Sequence, residues 1–230
     1  MVINDRYRFV FAHVPKTAGT SIAAALGSLD GTSHRWVSSA MKHETLLDLS
    51  ARVSQRSDQP DSDSAVPIES YLAFGFVRNP WDRMVSIYRY LQEARPRPEI
   101  QAITSFECFV RRAAEGEPWI RGLHSIRPQI AFLAIPTRST QAAFVGHTEH
   151  LLEDLAVVSK RLGLSLSVPH LNASSNRTSD YRAEYTDTLA EVVGDLFAPD
   201  VKAFGYTFDA RPPARRCSGP LPDVIAERLQ

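Results

Sequence analysis

HVPKTAGTSI, residues His13–Ile22, decides the fold. The residues leading into it, Tyr7–Val14, alternate and then run continuously apolar, as a buried parallel strand does. The residues leading out, Gly19–Leu26, place Ile22 and Leu26 one helical turn apart. Between strand and helix lies a polar turn with Lys16, Gly19 and the hydroxyls of Thr17, Thr20 and Ser21. A chain that leaves a strand through such a turn points the first N–H groups of the helix at the turn. Those groups and the helix dipole favour a phosphate-like anion. The candidate anion loop is therefore Lys16 with the amides of Thr17, Ala18, Gly19, Thr20 and Ser21. It is not a Walker loop, because the lysine precedes the glycine and GxxxxGK[ST] is absent.

A second stretch repeats the pattern with other chemistry. In FVRNPWDRMVSIY, Phe76–Tyr88, the strand Tyr71–Val77 ends at Arg78, and Pro80 stands where helices begin. Met84, Val85, Tyr88 and Leu91 form the core face of that helix, and Ser86 rides on it. Arg78 and Ser86 make a second anion site, so the expected ligand has two separate anionic ends.

The remaining chain alternates in the same way. Helices are predicted over His43–Val53, Phe106–Ala114, Glu149–Leu162 and Thr188–Phe197, with a strand over Ala142–Val145 and Gly163 ending the helix before it. Arg52–Pro67 is expected to be an exposed loop, His170–Asp180 a polar loop and Phe204–Tyr206 a short element. One domain over 1–210 and a tail over 211–230 follow. Strands separated by helices imply a parallel sheet with helices on both faces and ligands beyond the C-terminal strand ends.

Composition narrows the function classes. Hydrophobic residues make up 43% and charged residues 23% of 230, an ordinary globular balance. Twenty-six basic residues equal 26 acidic ones, which removes any bulk electrostatic case for nucleic acid or an anionic membrane. Two cysteines, Cys108 and Cys217, make no disulfide framework and no zinc spacing, and no metal set is expected. The opening MVINDRYRFVFAHV lacks a signal-peptide pattern and no membrane span is evident, so a cytoplasmic protein is expected.

PKTAGTS and RNPWDRxVSxY resemble the two nucleotide motifs of sulfotransferases that use 3'-phosphoadenosine 5'-phosphosulfate (PAPS). The spelling is closest to the carbohydrate, sulfotransferase family 2-like branch. SFECFVRRA, RPQIAFL, the FVG-x-x-E-x-L-x-x-D stretch Phe144–Asp154, PHLNASS and FGYTF follow in the family's order, so the likeness runs over residues 7–208. It implies a P-loop-like three-layer α/β/α fold around a central parallel sheet; the opening departs from the membrane-anchored animal members of the family, and a bacterial, cytoplasmic enzyme is the simplest expectation. The donor would be PAPS, the product 3',5'-adenosine bisphosphate, and no metal is required. The acceptor would be a glycan, glycolipid or other hydroxyl compound; no pattern specifies an oligomeric state.

The resemblance also implies roles. Lys16 would meet charge on the bridging oxygen, and the amides and hydroxyls of Thr17–Ser21 would hold the 5'-phosphate. Arg78 and Ser86 would hold the 3'-phosphate, with Arg83 bracing the site through Asp82 or another carboxylate. His43, in MKHETLLDL, would be the base that takes the acceptor's proton, with Glu44 as the alternative. Ser174 and Arg177 would contact the 3'-phosphate or adenine. The chain departs from the family at Ala173, where a lysine is usual, and at His147 and His150, where Arg and Asn are common. Two competing readings are an ATP-magnesium kinase and a non-catalytic nucleotide-binding module.

Overall fold

The computed structural model describes residues 1–30, 32–33, 42–57, 71–94, 98–134, 144–166 and 180–209. Ser174, Arg177 and the tail over 211–230 lie outside the described residues. The chain divides into two compact units. One comprises the described parts of Met1–Val77 and Gln129–Leu171, the other those of Arg78–Pro128 and Asn172–Pro213.

The first unit is built on a five-stranded sheet. Its strands are β1 (Val2–Asn4), β2 (Phe9–Ala12), β3 (Thr32–Ser33), β4 (Leu72–Val77) and β5 (Phe144–His147), in the order β3-β1-β2-β4-β5. Strands β2, β4 and β5 are parallel, in the register Phe11–Phe74–Phe144. The expected parallel sheet is present but extended at one side, because β1 pairs antiparallel with both β2 and β3.

Period-two alternation sorts the side chains. Phe9 and Phe11 of β2, Phe74 and Phe76 of β4 and Phe144 of β5 share one face. They pack with Ile22 and Leu26 of α1 (Gly19–Gly27) and Leu155 and Val158 of α8, the helix Leu151–Leu162. Each fully buried phenylalanine contributes about 1.5–3 kcal/mol of transfer free energy. The other face is covered by a short helix, Ile130–Leu133: a Cβ on Gly75 would lie 2.6 Å from Leu133 Cδ2. The three-layer α/β/α fold follows, with α2 (Leu46–Ser57) completing this unit. That helix starts three residues later than predicted and runs through Arg52–Ser57, a segment expected to be loop.

The second unit is helical. Its main helices are α3 (Pro80–Ala94), α5 (Phe106–Glu115), α9 (Asp187–Leu196) and α10 (Ala198–Phe204), with short turns at Pro98–Gln101 (α4), Pro118–Arg121 (α6) and Tyr181–Glu184; in chain order the Ile130–Leu133 helix above is α7. Asn79 caps α3, its Oδ1 accepting from the amides of Trp81 (3.0 Å) and Asp82 (3.4 Å), with Pro80 next in line. Trp81 is core: it is 6% exposed and its Nε1–H donates to the Ala190 carbonyl (2.7 Å). The predicted Phe204–Tyr206 element is the end of α10 with Gly205 as its left-handed cap. Among the described residues, no helix is long and apolar enough to cross a membrane.

Candidate functional site

Strand β2 delivers the first loop at the C-terminal end of the parallel strands. Beyond Ala12 the buried His13 and Val14 lead into Pro15–Ala18. The Thr17 hydroxyl turns inward and donates to the Val14 carbonyl (3.0 Å), which braces the turn. Lys16 (φ 68°) and Ala18 (φ 60°) both adopt the left-handed conformation. That conformation costs a residue with a side chain about 1–2 kcal/mol. Two such residues within three positions bend the chain sharply, a backbone type that anion nests use. Ala18 is the N-cap of α1 and has no oxygen to offer, so no side chain caps that helix. The start of α1 is thus an uncapped positive end with Lys16 half-exposed and Thr20 exposed beside it.

A second turn meets this loop. Thr45 and Asp48 form a reciprocal capping box at the start of α2: the Asp48 amide donates to Thr45 Oγ1 (3.0 Å) and the Thr45 amide to Asp48 Oδ2 (3.1 Å). His43 is therefore in the turn before α2, not in its first turn. Its Nδ1–H donates to the His13 carbonyl (2.9 Å), since a carbonyl only accepts. In the neutral ring this leaves Nε2 as the basic nitrogen. Lys42, next to it, reaches Thr20 Oγ1 with its Nζ (3.5 Å). Glu44 is bound by Arg52, whose Nε donates to Oε1 (2.9 Å) and whose Nη2 pairs with Oε2.

The His13 ring ties these parts together. It stands edge-on to the His43 ring with centroids 4.8 Å apart. It also lies over Gly19 so closely that a Cβ there would sit 2.2 Å from His13 Cδ2. Gly19 is required by this approach; its φ is ordinary for a helix. Burial, then the charges of His43, the N-terminal ammonium and Lys42, pull the His13 pKa down to about 2.

In the second unit Arg78 directly follows β4 in the chain. Its Nε and Nη2 donate to Asp82 Oδ2 (2.8 Å) and Oδ1 (2.6 Å), a bidentate fork. Ser86 stands one turn beyond Asp82 on α3 and is half-buried. Arg83 is fully buried, as is Asp200, 3.8 Å away. Its Nη2 also donates to the carbonyls of Ser125 (2.7 Å) and Arg127 (3.0 Å). Burial, opposed by Asp200, lowers the Arg83 pKa to about 10, so it remains a cation at neutral pH.

Residues 1–207 match the family model described as the sulfotransferase family. The chain belongs to the sulfotransferase family. No curated protein and no solved structure matches it.

The first unit of this sulfotransferase brings together Lys16, Ala18, Gly19, Thr20, Ser21 and His43 from the sequence analysis, with Thr17 turned inward as a brace. The second unit holds Arg78 and Ser86. Asp82 pairs with Arg78 rather than Arg83, and Arg83 takes the other expected course, a different carboxylate. His13, expected as packing or support beside the loop, is the wedge; two pairings were not read from sequence, Lys42 with Thr20 and Asp82 with Arg78. Only the last had a local signal, the four-residue spacing of opposite charges. The His147 amide donates to the buried Asp154 (2.6 Å), and His150 lies beside Glu153 (3.5 Å). Gln129 is fully buried. Among the described residues no group of His, Cys, Asp or Glu is arranged to hold a metal.

The His13 shift carries a stability prediction for the sulfotransferase. Its folded pKa, about 2, lies below the ordinary 6.5. The unfolded chain then binds the extra proton, and the native state loses stability as pH falls below 6.5. The expected contribution is about 1.4 kcal/mol per pH unit. His13→Phe keeps a ring over Gly19 without a titratable nitrogen. Across denaturant midpoints measured between pH 7 and roughly pH 5, wild type should lose stability relative to His13→Phe as acid is added. Parallel curves would show that His13 does not carry the acid sensitivity.

Proposed function

We infer that this sulfotransferase transfers a sulfuryl group from PAPS to a hydroxyl of a carbohydrate or glycoconjugate. The observation that carries the reading is the pairing, in one unit, of a cationic loop at the uncapped start of α1 with an imidazole whose Nε2 is the basic nitrogen. The donor set suits such a ligand: ammonium, helix amides and hydroxyls for the phosphosulfate, and a guanidinium with a neutral hydroxyl for a second phosphate. The carbohydrate class rests on the PKTAGTS spelling of the loop.

The chain's groups divide the reaction between them. His43 Nε2 takes the proton of the acceptor hydroxyl as its oxygen forms a bond to sulfur. The bond from sulfur to the bridging phosphate oxygen breaks, and its electron pair stays on that oxygen. Lys16 stabilises the charge that grows there. Amides of Thr17–Thr20 and the hydroxyls of Thr20 and Ser21 hold the 5'-phosphate; the Ser21 amide, also expected there, is already donated to the Ala18 carbonyl (3.1 Å). Arg78 and Ser86 are assigned the 3'-phosphate, and Asp82 fixes the plane of the Arg78 fork. Glu44, already bound by Arg52, is the weaker candidate for the base.

Calorimetric titration with 3',5'-adenosine bisphosphate tests this reading, with ATP-magnesium in parallel. The bisphosphate is expected to bind without metal. Arg78→Ala should weaken it about 10–100-fold, the range for losing charge-assisted bonds to phosphate. Binding of ATP-magnesium with no response to the bisphosphate would replace the sulfotransfer reading by phosphoryl transfer.

A further inference from the structure

We propose that Tyr181 and Tyr185 are positioning residues for the 3'-phosphate end of the donor: their hydroxyls hold the start of α3 in the shape that presents Arg78. The inference rests on the PAPS reading above and deepens it by assigning two residues that act through Arg78.

The start of α3 carries both halves of the fork. Arg78 stands two residues ahead of Pro80, and Asp82 lies in the helix's first turn. The first amides of a helix have no partner within it, so an unsupported first turn frays. Fraying here would move the guanidinium relative to Ser86, one turn further along.

Two hydroxyls from a distant segment meet this turn. Asn79, beside Arg78, caps the helix through Oδ1, and its Nδ2 donates to the Tyr181 hydroxyl (3.3 Å) and to the Thr207 carbonyl (3.1 Å). The Tyr181 hydroxyl in turn donates to the Phe208 carbonyl. A side-chain amide engaged through both its oxygen and its nitrogen has one orientation, and the cap it makes is fixed with it. Trp81, beside Asp82, is held at its carbonyl by the Tyr185 hydroxyl (2.9 Å). Each partner of the fork thus has a chain neighbour bound by a tyrosine.

The rings are anchored separately from their hydroxyls. Phe208 lies edge-on to Trp81 (5.7 Å between centroids), Tyr181 (5.8 Å) and Tyr185 (5.4 Å). Packing of this kind is served equally by phenylalanine; the hydroxyls are what reach α3. Burial, followed by the Asp82 carboxylate, raises the Tyr185 pKa. Burial also raises that of Tyr181, against Arg182, and Asp82 again adds to the rise. Both hydroxyls therefore keep their protons at neutral pH, and both feel the carboxylate that holds Arg78.

Tyr181→Phe and Tyr185→Phe keep the rings and remove only the hydroxyls. The single variants and the double are titrated with 3',5'-adenosine bisphosphate, once with Arg78 present and once in Arg78→Ala. With Arg78 present, each single substitution is expected to weaken binding about fivefold and the pair about tenfold or more, the range for one and two lost hydrogen bonds. In Arg78→Ala the same substitutions should change affinity by less than about twofold, because the group they position is gone. Equal weakening in both backgrounds would overturn the proposal and make the tyrosines general supports of the second unit. Unchanged affinity with Arg78 present would also overturn it and leave packing as their role. Unfolding midpoints are measured alongside; if the double variant does not fold, the single variants decide by the same comparison. A wild-type protein that does not bind the bisphosphate would overturn the PAPS reading and this inference with it, whereas the first two outcomes leave that reading intact.

Discussion

Lys16→Ala is expected to lower kcat about 10²–10³-fold, the cost of deleting one preorganised charge stabiliser at a developing anion. The loss should fall on kcat more than on the donor's KM, because charge on the bridging oxygen appears as the sulfur–oxygen bond breaks. The substitution suits the site structurally. Lys16 is half-exposed at φ 68°, and alanine meets the same left-handed penalty as lysine, so the loop keeps its shape. Steady-state rates with labelled donor, alongside chemical denaturation, measure both quantities. A folded variant within about threefold of wild-type kcat would remove Lys16 from the reaction. A variant with intact kcat and a raised donor KM would leave it a ground-state binding role only.

His43→Ala should cost about 10²–10⁴ in kcat, the range for a positioned general base. Affinity for 3',5'-adenosine bisphosphate should stay near wild type, since the proposal gives His43 the acceptor's proton and no phosphate. Added imidazole should restore part of the rate. Glu44→Gln is the control. The carboxylate is engaged by Arg52 at the start of α2, so its loss should show in unfolding midpoint rather than in chemistry. If Glu44→Gln lost activity at unchanged stability while His43→Ala stayed active, the two roles would be exchanged.

Both outcomes depend on the same small arrangement, and its parts were not equally legible. The anion loop was read from ten residues because its physics is local: a strand, an uncapped helix start and two left-handed residues between them. The start of α2 was misjudged by three residues, although Thr45 and Asp48 carry the spacing of a capping box. The box places His43 in the preceding turn, from which it reaches the His13 carbonyl. Strand β1 was missed because Val2-Ile3-Asn4 is too short to show a period of its own. Its pairing with β2 supplies what its sequence does not announce. Arg78–Asp82 was visible as a four-residue spacing; Arg83–Asp200 was not, since the partners lie on α3 and α10.

Sequence alone determined the family, the strand–turn–helix units at Lys16 and Arg78, and the residue types available for charge stabilisation and proton transfer. Each follows from spacing within one or two turns, where a side chain's neighbours are set by backbone geometry. The tertiary structure decided which of those residues are already engaged. It tied His43 to His13, 30 residues away, and Lys42 to Thr20, 22 away. It also wedged the His13 ring against Gly19 and gave Glu44 to Arg52. Such pairings arise only when the parallel strands close and carry separate turns to one edge of the sheet. No periodicity of the chain encodes them; burial and hydrogen-bond satisfaction select them.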